Sequence, residues 1–150
     1  MIYLECDPDK ALISLMGISN KEIKHAYGKG NVCKQLEKSR NAKGMVDDDP
    51  LSHQPNYMKQ LTPLLYEHDV RMLYDKNANN HMIVLCPRLE EWILKAAKEA
   101  GVNIGTFGLP NDARELHQMI NTKLDSFKRL LKGLERKSKM LTSLEKLVKL

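Results

Sequence analysis

Gly44-Met45-Val46-Asp47-Asp48-Asp49-Pro50 is the stretch on which the reading of this chain turns. Three adjacent carboxylates repel one another and are costly to bury. Placed directly after a short apolar run, they are delivered to a strand end where a cation can sit. Side chains alternate along a strand, which sends Asp47 and Asp49 to one side and Asp48 to the other. Such an acid-x-acid pair suits Mg²⁺ or Mn²⁺, which take carboxylate and water oxygens. The other reading of the same residues is an acidic turn ahead of Pro50.

Upstream, Ile2-Tyr3-Leu4-Glu5 reads as a strand ending in an acid. Asp7 is placed to cap the following helix, with Pro8 at its start and Gly17 at its end. Ile23–Tyr27 is a weaker strand, Gly28-Lys29-Gly30 a flexible turn, Val32–Lys38 a helix and Gly44–Val46 a third strand. Downstream, Tyr57–Tyr66 is expected to be helical, offering Met58, Leu61, Leu64 and Leu65 for packing, although Pro63 interrupts it. Val70–Tyr74 and Met82–Leu85 flank an asparagine-rich turn. Leu89, Trp92, Ile93, Ala96, Ala97 and Ala100 then recur at helical spacing up to Gly101. Strands alternating with helices predict an α/β fold, a mostly parallel sheet flanked by helices, over residues 1–110.

Residues 111–150 read as a helical extension. Asp112 and Glu115 form a capping box. Leu116, Ile120, Leu124, Phe127, Leu131 and Leu134, resumed by Leu141, Leu144 and Val148, make an apolar stripe that must pack on the body or on a partner. Gly133 and the run Arg136–Lys139 predict a break and hence a pair of helices. The extension also carries the charge. It holds ten Lys or Arg against five acids, whereas residues 1–60 hold nine against eight and residues 61–110 five against six, so the formal charge of +5 resides there. A basic arm on a near-neutral body suits a polyanion such as nucleic acid, and equally suits helices that merely stay soluble.

At 150 residues, 42% hydrophobic and 29% charged, the chain is long enough for one domain with a substantial core. No apolar run approaches a membrane span, and Glu5 and Asp7 interrupt the N-terminal candidate for an export signal, so the expected compartment is the cytoplasm. Cys6, Cys33 and Cys86 are far apart and predict neither a zinc site nor a disulfide framework. Of the five histidines, only His53 falls close to the acidic triplet. The segment Gly28–Cys33 lacks the last glycine of a dinucleotide fingerprint and the spacing of a P-loop.

In an open parallel sheet, ligands bind beyond the carboxyl ends of the strands, so Glu5, Asp47 and Asp49 can converge across some 40 residues of chain. Clustered carboxylates raise one another's proton affinity unless a divalent cation offsets the repulsion. On a phosphodiester, such a cation helps generate hydroxide and stabilises the leaving oxygen. Lys29 and Lys10 are candidate phosphate contacts or ordinary surface lysines.

YLECDPDKALISLMG at 3–17, GKGNV at 28–32 and GMVDDDP at 44–50 together resemble the motifs of Toprim domains. Glu5 falls at the family's glutamate, Asp9 at the final aspartate of its first motif, and Asp47 and Asp49 at its metal-binding pair. Cys6 departs from the pattern by standing where a glycine is usual. CPRLEEWIL at 86–94 is similar to the acidic helix start of OLD-family and small stand-alone Toprim proteins, with Glu90 as the matching acid; Glu90 and Glu91 also simply suit a helix N-terminus. The resemblance implies a Toprim-like fold and a Mg²⁺- or Mn²⁺-dependent nuclease. Glu5, Asp47 and Asp49 would be the metal ligands and Asp9 and Glu90 further ligands, while Lys29, by its place in the Gly28–Gly30 turn, is the candidate catalytic contact to phosphate. The resemblance implies DNA ahead of RNA as substrate and a separate ATPase or other partner protein, while the apolar stripe of the C-terminal helices offers a surface for that partner or for a homodimer. The alternative is a non-catalytic module that binds nucleic acid or protein in defence, repair or replication.

Overall fold

The apolar N-terminal run is paired on both sides. β1 (Ile2–Leu4) lies between β2 (Ile23–His25) and β3 (Lys43–Asp47) and is parallel to both. The structure, a computed structural model, describes residues 1–150. Beyond β3 the sheet continues through β6 (Asn80–Leu85), also parallel, and then through β5 (Val70–Asp75) and β4 (Thr62–Glu67), which run antiparallel to their neighbours. The strand order is β2-β1-β3-β6-β5-β4. The result is an α/β fold with a six-stranded, mostly parallel sheet and seven α-helices, compatible with a Rossmann-like architecture.

Alternation along the strands explains the two apolar layers. Ile2, Leu4, Met45, Ile83 and Leu85 point to one face and Tyr3, Val46, Met82 and Val84 to the other. The first face is covered by α1 (Asp7–Leu15) and α4 (Leu89–Glu99), backed by α5 (Ala113–Met119), α6 (Leu124–Leu134) and α7 (Lys139–Val148). The second face is covered by α2 (Lys29–Glu37) and α3 (Asn56–Lys59). The apolar stripe of residues 116–148 is buried within the chain itself, in one cluster with Trp92, Ile93 and Leu12 that crosses the expected boundary at residue 110.

Four local expectations need correction. Residues 57–66 are not one helix: α3 ends at Lys59 and Thr62–Glu67 is an edge strand with all six residues exposed. Pro63 lacks the N–H that a helix interior requires, and an edge strand tolerates that loss. Leu64 and Leu65 are therefore exposed rather than packed. Asp7 does not cap α1. Cys6 takes the cap position in extended conformation without a side-chain hydrogen bond, and Asp7 is the first helical residue. Lys29 stands inside α2 rather than in a flexible turn, with Gly28 at φ 118° ahead of it. The C-terminal region is three helices, because the chain breaks at residues 120–123 as well as at 135–138. Asp112 caps α5 as expected, its Oδ1 accepting from the Glu115 amide at 2.9 Å.

The contact that sets α2 against the sheet is Gly44. A Cβ there would stand 2.8 Å from Val32 Cγ1 and 3.0 Å from Leu36 Cδ1 and Met82 Sδ. Gly44→Ala is expected to destabilise the fold by about 1–3 kcal/mol through overpacking. Urea unfolding measures this; an unchanged midpoint would show that α2 does not bear on β3 at this point.

Candidate functional site

The carboxyl ends of β1 and β3 lie side by side, because Leu4 is registered against Met45. The next residue of the first strand, Glu5, is thereby level with the end of the third. Its Oε1 accepts the Asp47 amide hydrogen at 2.8 Å. Asp47 in turn accepts at Oδ1 from the Leu89 amide at 3.0 Å, which ties β3 to the first turn of α4. A carboxylate is favoured there by the free amides and dipole of a helix N-terminus. Glu90 follows in the same turn, buried, with His117 Nδ1 of α5 2.9 Å from its Oε1. Asp9, on the inner side of α1, is only 3% exposed. No Lys or Arg forms a salt bridge with Glu5, Asp9, Asp47 or Glu90, and His117 is the one basic partner among them.

The electrostatics follow from burial without compensating cations. Burial, then the charges of Asp9, Glu5 and Glu90, push the Asp47 carboxyl up to about 8, against the lowering effect of the Leu89 amide. Burial, then the Glu5 charge, pushes Asp9 up to about 7. Glu5 is raised by burial, with Asp49 and Glu90 adding to the effect and the Asp47 amide and Lys29 opposing it. Burial and the Asp9 charge hold the Cys6 thiol far above its ordinary range, so Cys6 is no thiolate nucleophile. Near neutral pH the cluster holds protons that ordinary carboxyls would have released.

The other members of the triplet part company with Asp47. Asp48 turns away, its Oδ1 2.8 Å from an Arg71 guanidinium nitrogen on β5. Asp49 lies past the end of β3 at φ 39°, donates its amide to the Pro87 carbonyl at 2.8 Å, and acts on Glu5 through its charge. Lys29 places its Nζ on the Asp48 carbonyl at 2.7 Å and on Gln54 Oε1 at 3.0 Å. Gln54 Nε2 donates to the Asp48 and Asp49 carbonyls. Lys29 from α2 and Gln54 from within the loop thus brace the acidic segment, and Lys29 partly offsets the charge of Glu5. His53 is exposed in that loop.

The structure therefore brings Glu5, Asp9, Asp47 and Glu90 together, sets Asp49 and Lys29 within electrostatic reach of Glu5, and leaves Asp48 outside. As the side chains stand, no three His, Cys, Asp or Glu groups are gathered closely enough to hold a metal ion. The donor set is nonetheless all oxygen and short of cations, the chemistry that Mg²⁺ and Mn²⁺ select. Sequence reasoning missed Arg71, Gln54 and His117. Arg71 and His117 lie 23 and 27 residues from their partners, on other elements, and no local pattern announces them. Gln54, six residues after Asp48, carried only a weak loop signal. The chain matches no protein-family model, no curated protein and no solved structure.

The sign of the pH dependence follows from the raised carboxyls. Unfolded, Asp9 and Asp47 release their protons near 3.8; folded, near about 7 and about 8. Between those values the native state binds more protons than the unfolded chain. The contribution of these two groups to stability is therefore greatest on the acid side and declines as pH rises, levelling off above about 8. Asp47→Asn keeps an oxygen for the Leu89 amide and removes the charge. Its unfolding temperature is expected to exceed that of the wild type at pH 8, and the gap should shrink at pH 5. Comparing the two proteins cancels the contribution of His81, whose depressed value acts in the opposite direction. A gap independent of pH would mean that Asp47 titrates normally.

Proposed function

We propose that the chain is a divalent-metal-dependent phosphodiesterase of the Toprim type, acting on DNA or RNA. The observation that supports this reading is the meeting of Glu5, Asp9, Asp47 and Glu90 beyond the ends of two parallel strands without a Lys or Arg paired to any of them. Glu5, Asp47 and Asp49 are assigned as the ligands of Mg²⁺ or Mn²⁺, with Asp9 and Glu90 behind them. Bound there, the ion would hold a non-bridging phosphate oxygen, ease deprotonation of the attacking water and stabilise the leaving oxygen. Glu5 and Asp47 each commit one oxygen to a backbone amide and retain the other. Asp9 keeps the floor of the site acidic, and the His117 ring orients Glu90. Lys29, held at the mouth by the Asp48 carbonyl and Gln54, is the cation assigned to the phosphate.

A second reading is favoured by one observation: no three of these side chains form a ready ligand set. On that reading protons rather than a metal neutralise the cluster, and the chain is a binding module without turnover.

Cleavage of labelled single- and double-stranded DNA and RNA, with Mg²⁺ or Mn²⁺, separates the two. The catalytic reading expects metal-dependent cleavage that falls in Asp47→Asn/Asp49→Asn by more than the about 10–100-fold cost of losing a ligand's supporting partner. An equal rate in the double variant, or no cleavage with either ion, would overturn it.

A further inference from the structure

We propose that the groove between α1 and α6 binds a single strand of nucleic acid through its phosphates. The groove has a volume of about 690 Å³ and is lined by Lys10 from α1 and by Lys128, Arg129 and Lys132 from α6. All four are exposed and none is in a salt bridge. Asp7 is the one acid in the lining, and its carboxylate lies 3.5 Å from His25 Nδ1. Four cations from two helices thus face a common space with almost no countercharge, which favours a polyanion. Between them runs an apolar strip of buried or half-buried residues that include Leu15 and Leu131, with Ser14 and Asn20 exposed at its side.

The shape and lining select the kind of polyanion. α1 and α6 pack directly on one another, so the groove is an open cleft over their seam; its apolar strip suits the unpaired bases of a single strand, which a duplex keeps turned inward. The lining runs from Leu15 to Asp7, the full nine residues of α1. At about 1.5 Å per residue that is about 13 Å, room for at most about four nucleotides even at the stacked spacing of about 3.4 Å. Sugars and bases can lie on the apolar strip while phosphates meet the lysines. The four cations address phosphates, which carry no sequence information, so the binding is expected to be indifferent to sequence. One end of the groove is Asp7, two residues beyond Glu5. On the nuclease reading given above, and resting on it, the groove is the path by which a strand reaches the carboxylates.

A second basic surface supplies an internal control. Arg136, Lys137, Lys139 and Lys146 gather with Glu67 and His68 around the α6–α7 turn, where the lining has no apolar residue. If net charge alone drove binding, this surface would serve as well.

The test compares two exposed lysine triples by anisotropy of a labelled oligothymidylate, in EDTA and across a salt series. Lys10→Gln/Lys128→Gln/Lys132→Gln removes the groove charge, and Lys137→Gln/Lys139→Gln/Lys146→Gln removes the same charge elsewhere. The groove triple is expected to weaken binding at least about 10-fold at low salt and to flatten the log–log salt slope by about 2, at about 0.7 per lost phosphate contact. The control triple should bind as the wild type does. Equal weakening by the two triples, no weakening by the groove triple, or tighter binding of a duplex would overturn the proposal. Binding that depends on the groove in a protein that never cleaves would uphold the groove and overturn only the nuclease reading.

Discussion

The amide hydrogen that Asp47 donates to Glu5 is the contact on which the site depends. It exists because β1 and β3 are adjacent and parallel, with Leu4 registered against Met45, so that Glu5 follows on beside the last residues of β3. A shift of one residue would send Glu5 to the other face of the sheet and leave Asp47 without its neighbour. The same strand end reaches α4 through the Leu89 amide, so two hydrogen bonds hold β1, β3 and α4 around one acidic point. The sheet is thus the frame that makes close approach of like charges possible, and the proton affinities of Asp9 and Asp47 record its cost.

The C-terminal helices serve that frame. Leu116, Ile120, Phe127, Leu131 and Leu144 are buried with Trp92 and Ile93; α5 and α7 pack on α4 and hold it against the sheet, while α6 packs on α1. Trp92 is fully buried with its Nε1 donating to the His68 carbonyl, which anchors the same helix to the β4–β5 turn. Glu90 keeps its place because α4 cannot slide, and α5 brings His117 to it. With the apolar stripe spent on the interior, the outer faces of α6 and α7 are left to their lysines and arginines.

What could be read from the residues alone divides along physical lines. Local signals survived: the strand before Glu5, the strand before Asp47, the helix after Pro87 and the Asp112 cap all arise from patterns within a few residues. The meeting of Glu5 with Asp47 was legible too, because the strand–helix–strand rhythm predicts parallel neighbours. Residues 57–66 were misread because Leu61, Leu64 and Leu65 have helical spacing, while Pro63 and edge pairing with β5 decide the outcome. Asp7 had the chemistry of a cap but stands one position too late. Asn80 looked like a turn residue and is instead buried, bonding the Leu36 and Ser39 carbonyls and the Ala42 amide. Partners that come from remote elements, such as Arg71 for Asp48, leave no mark in a single sequence.

A cluster of carboxylates that retains protons near neutral pH has two ways to settle its repulsion: keep the protons or exchange them for a divalent cation. The exchange is directly visible by calorimetric titration of Mn²⁺ at pH 7 in two buffers of different ionisation enthalpy. The account predicts one site that releases about one proton or more per ion bound, with both the site and the release lost in Glu5→Gln. Heat that is the same in the two buffers, or a site that survives Glu5→Gln, would contradict it.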